Sequence, residues 1–161
     1  VLRHRMRDPT IISGPAERPR MYDDILVPTD GSEAVDRALD HALRLATDHG
    51  ATIHALYVVD RRIATANSGE LHDEVVADLE SQGDEAVATV AERAESAGLD
   101  VETHVLRGTP DTEIVSYAEE HGIDVIVMSP EGKSPRERIR SLGSVSDRVA
   151  DDATVPVFLI K

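Results

Sequence analysis

Apolar positions along the chain follow two alternating rhythms. Ile25, Leu26 and Val27 are consecutive, the signature of a strand buried on both faces. Ser32 is placed to cap a following helix, whose apolar face is Val35, Leu39, Ala42, Leu43 and Ala46; Gly50 ends it. Residues 51–59, ATIHALYVV, read as a second strand, followed by a loop with Asn67, Ser68 and Gly69 near its end. Residues 70–97 read as a long helix with Leu71, Val75, Leu79, Val87, Val90 and Ala94 inward. Gly83 is its weak point, and Gly98 ends it. Residues 100–106 alternate as a third strand. Thr109 followed by Pro110 marks the start of a helix that runs to about His121 and Gly122. Residues 124–128, DVIVM, form a fourth buried strand, residues 129–142 a polar loop, and a short helix carries Val145 and Val149. Residues 156–160 form a fifth strand.

Strands that alternate with helices predict an α/β fold: a doubly wound, five-stranded parallel sheet with helices on both faces, Rossmann-like in architecture. Ligands of such sheets lie beyond the carboxyl ends of the strands, where the strand order reverses. The informative residues are therefore those just after strands one, two and four.

Composition narrows the classes. One Phe, three Tyr and no Trp leave the core to Val, Ile, Leu and Ala. The absence of cysteine removes disulfides, thiolate metal sites and a Cys nucleophile. No apolar run approaches the roughly 20 residues of a membrane helix, and a cytoplasmic location is expected. The net charge is −14, with 15 Arg but only Lys133 and Lys161. This argues against nucleic-acid and anionic-membrane partners. Many acids with few lysines resemble the composition of proteins from salt-in halophiles. Residues 1–20 differ: five Arg against Asp8 and Glu17 give +3, whereas residues 21–161, with 12 basic and 29 acidic groups, carry −17. The expectation is a disordered basic extension ahead of Met21, with sequence upstream of the native start and a basic targeting arm as two readings of it. Residues 21–161 are then the domain.

The chemistry concentrates in two places. After strand one, Pro28-Thr29-Asp30-Gly31-Ser32-Glu33 reads either as a turn and helix cap or as a ligand wall in which Asp30 accepts from a base or ribose. After strand four, Ser129-Pro130-Glu131-Gly132-Lys133-Ser134 suggests a P-loop but fails the pattern, because Val127 stands where its first glycine is required. Residues 129–142 still carry Lys133, Arg136, Arg138 and Arg140 against Glu131 and Glu137, a local balance of +2. Gly143 and Ser144 then open a helix, whose free N–H groups favour an anion. A solvated charged loop before a capped helix is the other reading. The seven His lie scattered between positions 4 and 121 without a close ligand pair, so surface positions and no metal site are expected. No catalytic constellation stands out.

Taken in order, VPTDGSE, YVVD, DVIVM, LGSVSDRV and VPVFLI resemble the universal stress protein family across residues 21–161. The resemblance implies a five-stranded parallel sheet and a homodimer paired through the last strand. In the family's ATP-binding branch the loop reads G-x-x-G-x(9)-G-[ST]. Here Ser129 replaces the first glycine, and ten residues rather than nine separate Gly132 from Gly143. Carried over by position, Asp30 would contact ribose or adenine, with Pro28 and Thr29 shaping that wall. Val58 would line the adenine slot, and Met128 would pack beside the nucleoside. Gly132 would offer N–H groups to the phosphates, and Gly143, Ser144, Val145 and Ser146 would hold them. The implied ligand is ATP or another adenine nucleotide with Mg2+, hydrolysed slowly at most. The alternative is a dimeric stress-tolerance protein that binds no nucleotide.

Overall fold

A computed structural model describes residues 20–66, 68–130 and 145–161. The expected basic extension lies outside the described residues, except for Arg20. So does the loop after strand four beyond Pro130. Five strands, β1 (Asp24–Pro28), β2 (Thr52–Asp60), β3 (Val101–Gly108), β4 (Val125–Met128) and β5 (Val157–Leu159), form one parallel sheet in the order β3-β2-β1-β4-β5. The order reverses between β1 and β4, and this is the crevice where a ligand is expected. The helices are α1 (Val35–His49), α2 (Arg61–Thr65), α3 (Glu70–Ser96), α4 (Pro110–Glu120) and α5 (Val145–Asp152).

Alternation along the strands divides the core into two layers. Ile25, Val27, Ile53, Ala55, Tyr57, Val125 and Val127 pack with α1 and α3. Leu26, Leu56, Ile126 and Met128 pack with Ile114 and Tyr117 of α4 and Val149 of α5. The central strands β1 and β4 are buried on both faces, so they must be apolar at successive positions. One carboxylate ties their starts together: Asp124 Oδ2 accepts from the N–H groups of Asp23 at 2.8 Å and Asp24 at 2.9 Å.

The elements depart from the sequence expectations at four points. Ser32 does not cap α1: the helix starts at Val35 after a further turn, and no side-chain bond caps it from Ala34. Residues 61–65 are helical rather than loop, because the Asp60 carboxylate accepts from the N–H of Arg62 at 2.9 Å and starts α2. Leu71 is 64% exposed instead of inward. Every buried residue of α3 lies between Gly83 and Ala94, so its first turns are only partly covered. Gly83 is a packing requirement rather than a weak point, since a Cβ there would stand 2.6 Å from Cδ1 of Tyr57.

Candidate functional site

The turn after β1 is built by its own side chains. Thr29 N–H still donates to the Leu56 carbonyl at 2.9 Å, which holds the chain against β2 past the end of β1. Gly31 N–H then donates to Thr29 Oγ1 at 3.1 Å, and Ser32 N–H donates to Asp30 Oδ1 at 2.9 Å. Gly31 adopts φ +78°, a left-handed conformation that disfavours other residues. Thr29 is buried and Asp30 half-buried. None of the described residues hydrogen-bonds to the second carboxylate oxygen of Asp30. The Ser32 hydroxyl is buried without a partner among the described residues.

Pro28, Val58 and Met128 come from adjacent strands β1, β2 and β4. By the alternation of each strand they share the sheet face that carries α4 and α5. Met128 is buried, Val58 half-buried, and Ser129 follows directly. α5 begins at Val145, with Ser146 only 2% exposed. The fold thus brings Pro28, Thr29, Asp30, Val58, Met128 and Ser129 to the carboxyl ends of three neighbouring strands. Gly132, Lys133, Gly143 and Ser144 lie outside the described residues.

Several groups at this end of the sheet were given no role by the motif reading. Burial pushes the Asp60 carboxyl up, but its hydrogen bonds with the Arg62 guanidinium and N–H outweigh this and hold it below the usual carboxylate range. Asp111 in the first turn of α4 is 9% exposed, and Arg148 of α5 lies 3.8 Å away. Burial, and then the Asp30 charge, raise the phenol of Tyr57. Only pairing across α4 and α5 could have revealed the Asp111–Arg148 contact. Tyr57 carried a weak signal, as the one large polar aromatic in an apolar strand.

At the opposite end of the sheet the histidine expectation needs correcting. His54 is only 4% exposed. Its Nε2 lies 2.8 Å from Asp24 Oδ1, and its Nδ1 lies 2.8 Å from the Tyr117 hydroxyl and 3.4 Å from Glu102 Oε2. His121 stacks on Tyr117 with ring centroids 3.8 Å apart, and His104 lies 5.7 Å from His121. The Tyr117 phenol is pushed up to about 12 by burial, then by Glu102 and Asp24. Residues far apart in sequence become one polar cluster because β2 and β3 pair His54 with Glu102 and Leu56 with His104. Among the described residues, no three His, Cys, Asp or Glu side chains are gathered as a metal site. No described helix is long and apolar enough to cross a membrane.

A model of the universal stress protein family matches residues 21–161. Universal stress protein MJ0531 of Methanocaldococcus jannaschii is 39% identical over 142 residues, covering 88% of this chain and 83% of the relative. Among solved structures, the hypothetical protein MJ0577, whose biochemical function was assigned from its structure, superposes with a TM-score of 0.78 at 32% identity, covering 88% of this chain and 96% of that one. A universal stress protein in complex with cAMP gives a TM-score of 0.64 at 25% identity, covering 86% and 96% of the two chains. The Archaeoglobus fulgidus protein in complex with dAMP gives 0.61 at 25% identity, covering 88% and 99%.

Proposed function

As the chain belongs to the universal stress protein family, we propose that it is a nucleotide-responsive binding and regulatory module whose ligand is ATP or another adenine nucleotide. One observation carries this reading. The Thr29–Asp30 turn and Met128 lie at the carboxyl ends of β1 and β4, where the strand order reverses, and Val58 of β2 and Val145 of α5 pack on the same core layer as Met128. Similar proteins in complex with cAMP and dAMP support it.

The donor set suits a nucleoside. Asp30 has one oxygen held by Ser32 N–H, and the other, without a hydrogen bond among the described residues, would take a ribose hydroxyl or an amino group. Pro28, Val58 and Met128 offer the apolar contact that a base requires. The phosphates would lie at the amino end of α5, toward Val145 and Ser146, with Ser129, Gly132, Lys133, Gly143 and Ser144 supplying the rest of the loop. Mg2+ would enter bound to the phosphates, whose charge it neutralises. The proposed role is binding rather than turnover, with hydrolysis slow at most. The reading includes a homodimer paired through β5, a cytoplasmic location, and adaptation of the acid-rich, lysine-poor surface to high salt.

A second reading, a dimeric stress-tolerance protein that binds no nucleotide, is favoured by Ser129 and Pro130. The first adds a side chain where the ATP-binding pattern has glycine, and the second has no N–H to give. Isothermal titration in molar KCl separates the two. ATP and adenosine should both release heat with the wild type. Asp30→Ala should weaken both by about tenfold or more, since it acts at the nucleoside end. Gly143→Val should remove ATP binding and spare adenosine. No heat from wild type or Ser129→Gly at about 1 mM ATP would sink the nucleotide reading.

A further inference from the structure

We propose that Asp111 reads the exocyclic amine of the base: its carboxylate, in the first turn of α4, accepts a hydrogen bond from that amine and selects adenine over a base with a keto oxygen there. The inference rests on the nucleotide reading above and deepens it. It gives the base end its own acceptor and leaves Asp30 to the ribose.

Asp111 is not placed like a surface acid. Acids in the first turn of a helix are common because they complement the dipole, but they are seldom buried without a partner. Asp111 is only 9% exposed. Its Oδ1 is buried and has no hydrogen-bond partner among the described residues. Arg148 of α5 lies 3.8 Å from that oxygen, near enough to offset the charge and too far for a hydrogen bond. A buried carboxylate oxygen in this state costs stability until a donor reaches it. The donor missing among the described residues is what a ligand would bring.

The topology puts this oxygen at the base end of the crevice. Asp111 and Ile114 are both buried, one turn apart on the same face of α4. Ile114 packs in the core layer of Leu56, Ile126 and Met128, against which Val58 and Val145 also rest. α4 starts just after β3, and Gly108 at the end of β3 pairs with Asp60, two residues beyond Val58. Asp111 therefore closes this layer at its carboxyl end, on the side of β2 and β3. The strand order β3-β2-β1-β4-β5 then orients the ligand. Phosphates at the start of α5 follow β4, the ribose meets Asp30 after β1, and the base extends over Val58 of β2 toward α4. Two strand spacings, about 10 Å, separate β1 from β3, a span that a nucleoside covers. A carboxylate at the far end accepts from the amine of adenine and repels the keto oxygen of hypoxanthine or guanine.

Isothermal titration in molar KCl with adenosine, inosine and purine riboside tests this. Inosine carries a keto oxygen in place of the amine, and purine riboside carries neither. The wild type should bind adenosine about ten- to a hundredfold tighter than either. Asp111→Asn keeps the shape of the side chain and can turn its amide to donate. Its preference for adenosine over inosine should fall below about threefold. If Asp111 only held α5 through Arg148, the variant would weaken all three ligands by one factor and keep the preference. That result overturns the proposal, and so does a wild type that binds purine riboside as tightly as adenosine. Should Asp111→Asn lose its cooperative melt, Asp111→Ala carries the same comparison with the same expected loss of preference. A wild type that binds none of these nucleosides and no ATP shows that the nucleotide reading itself has failed, and the role of Asp111 falls with it. A wild type that binds adenosine, with a preference unchanged in the variant, rejects Asp111 alone.

Discussion

Replacing Gly83 with Ala sets two known effects against each other in the middle of α3. In an exposed helix interior the change should stabilise by about 0.8–1 kcal/mol, because glycine is the poorer helix former. Here the added Cβ would lie 2.6 Å from Tyr57 Cδ1, 3.1 Å from Cε1 and 3.0 Å from Val105 Cγ1. Tyr57 is 6% exposed and backed by the sheet, so the ring cannot retreat into solvent. Overpacking costs about 1–3 kcal/mol, and an approach of 2.6 Å to a ring backed by the sheet belongs to the upper part of that range, about 2–3 kcal/mol. We expect the clash to win, leaving a net loss of about 1–2 kcal/mol. Urea unfolding in molar KCl, followed by far-UV circular dichroism, measures it. With a slope of about 2 kcal/mol/M, the midpoint should fall by about 0.5–1 M at unchanged slope. The penalty should shrink in a Tyr57→Val background, where the two clashing ring atoms are gone; neighbours in contact couple in this way. An alanine variant as stable as the wild type would refute the reasoning and return Gly83 to an ordinary helix position.

His54→Ala should destabilise by about 2–4 kcal/mol, since it opens a cavity and leaves the Tyr117 hydroxyl and the Asp24 carboxylate without their 2.8 Å partner; calorimetry in molar KCl checks it, and a loss under 1 kcal/mol on the same scale would argue that water replaces the ring. Phe158 and Leu159 are each 37% exposed on the edge strand β5, with Tyr22 edge-on to Phe158 at 6.4 Å. Sedimentation at high salt should give twice the chain mass for the wild type and the chain mass for Phe158→Asp. A wild-type monomer would reject pairing through this strand.

The order of elements and the place of the crevice were legible in the sequence for a physical reason. A strand buried on both faces must be apolar at consecutive positions, as Ile25–Val27 and Val125–Met128 are, and a parallel sheet must return through a helix each time. Since ligands of such sheets gather at the carboxyl ends, the turn at Asp30 could be singled out beforehand, whereas Val58 and Met128 came only from the family resemblance. Periodicity states which residues share a helical face, but not whether anything stands opposite. Leu71 continues the apolar stripe of α3 and yet meets solvent, because the helix is buried only between Gly83 and Ala94. Local chemistry likewise offered Ser32 as a cap, and the chain instead took an extra turn before α1. The remaining features depend on pairing between distant residues. His54 meets Tyr117, 63 positions away, and Asp24, 30 positions away. Gly83 is required only because Tyr57 lies across from it, and Asp111 finds Arg148 only once α4 and α5 lie side by side. Sequence spacing encodes the period of each element, and burial imposes that period locally. Which side chains face each other across elements is decided by register and packing, and these exist only in the folded chain.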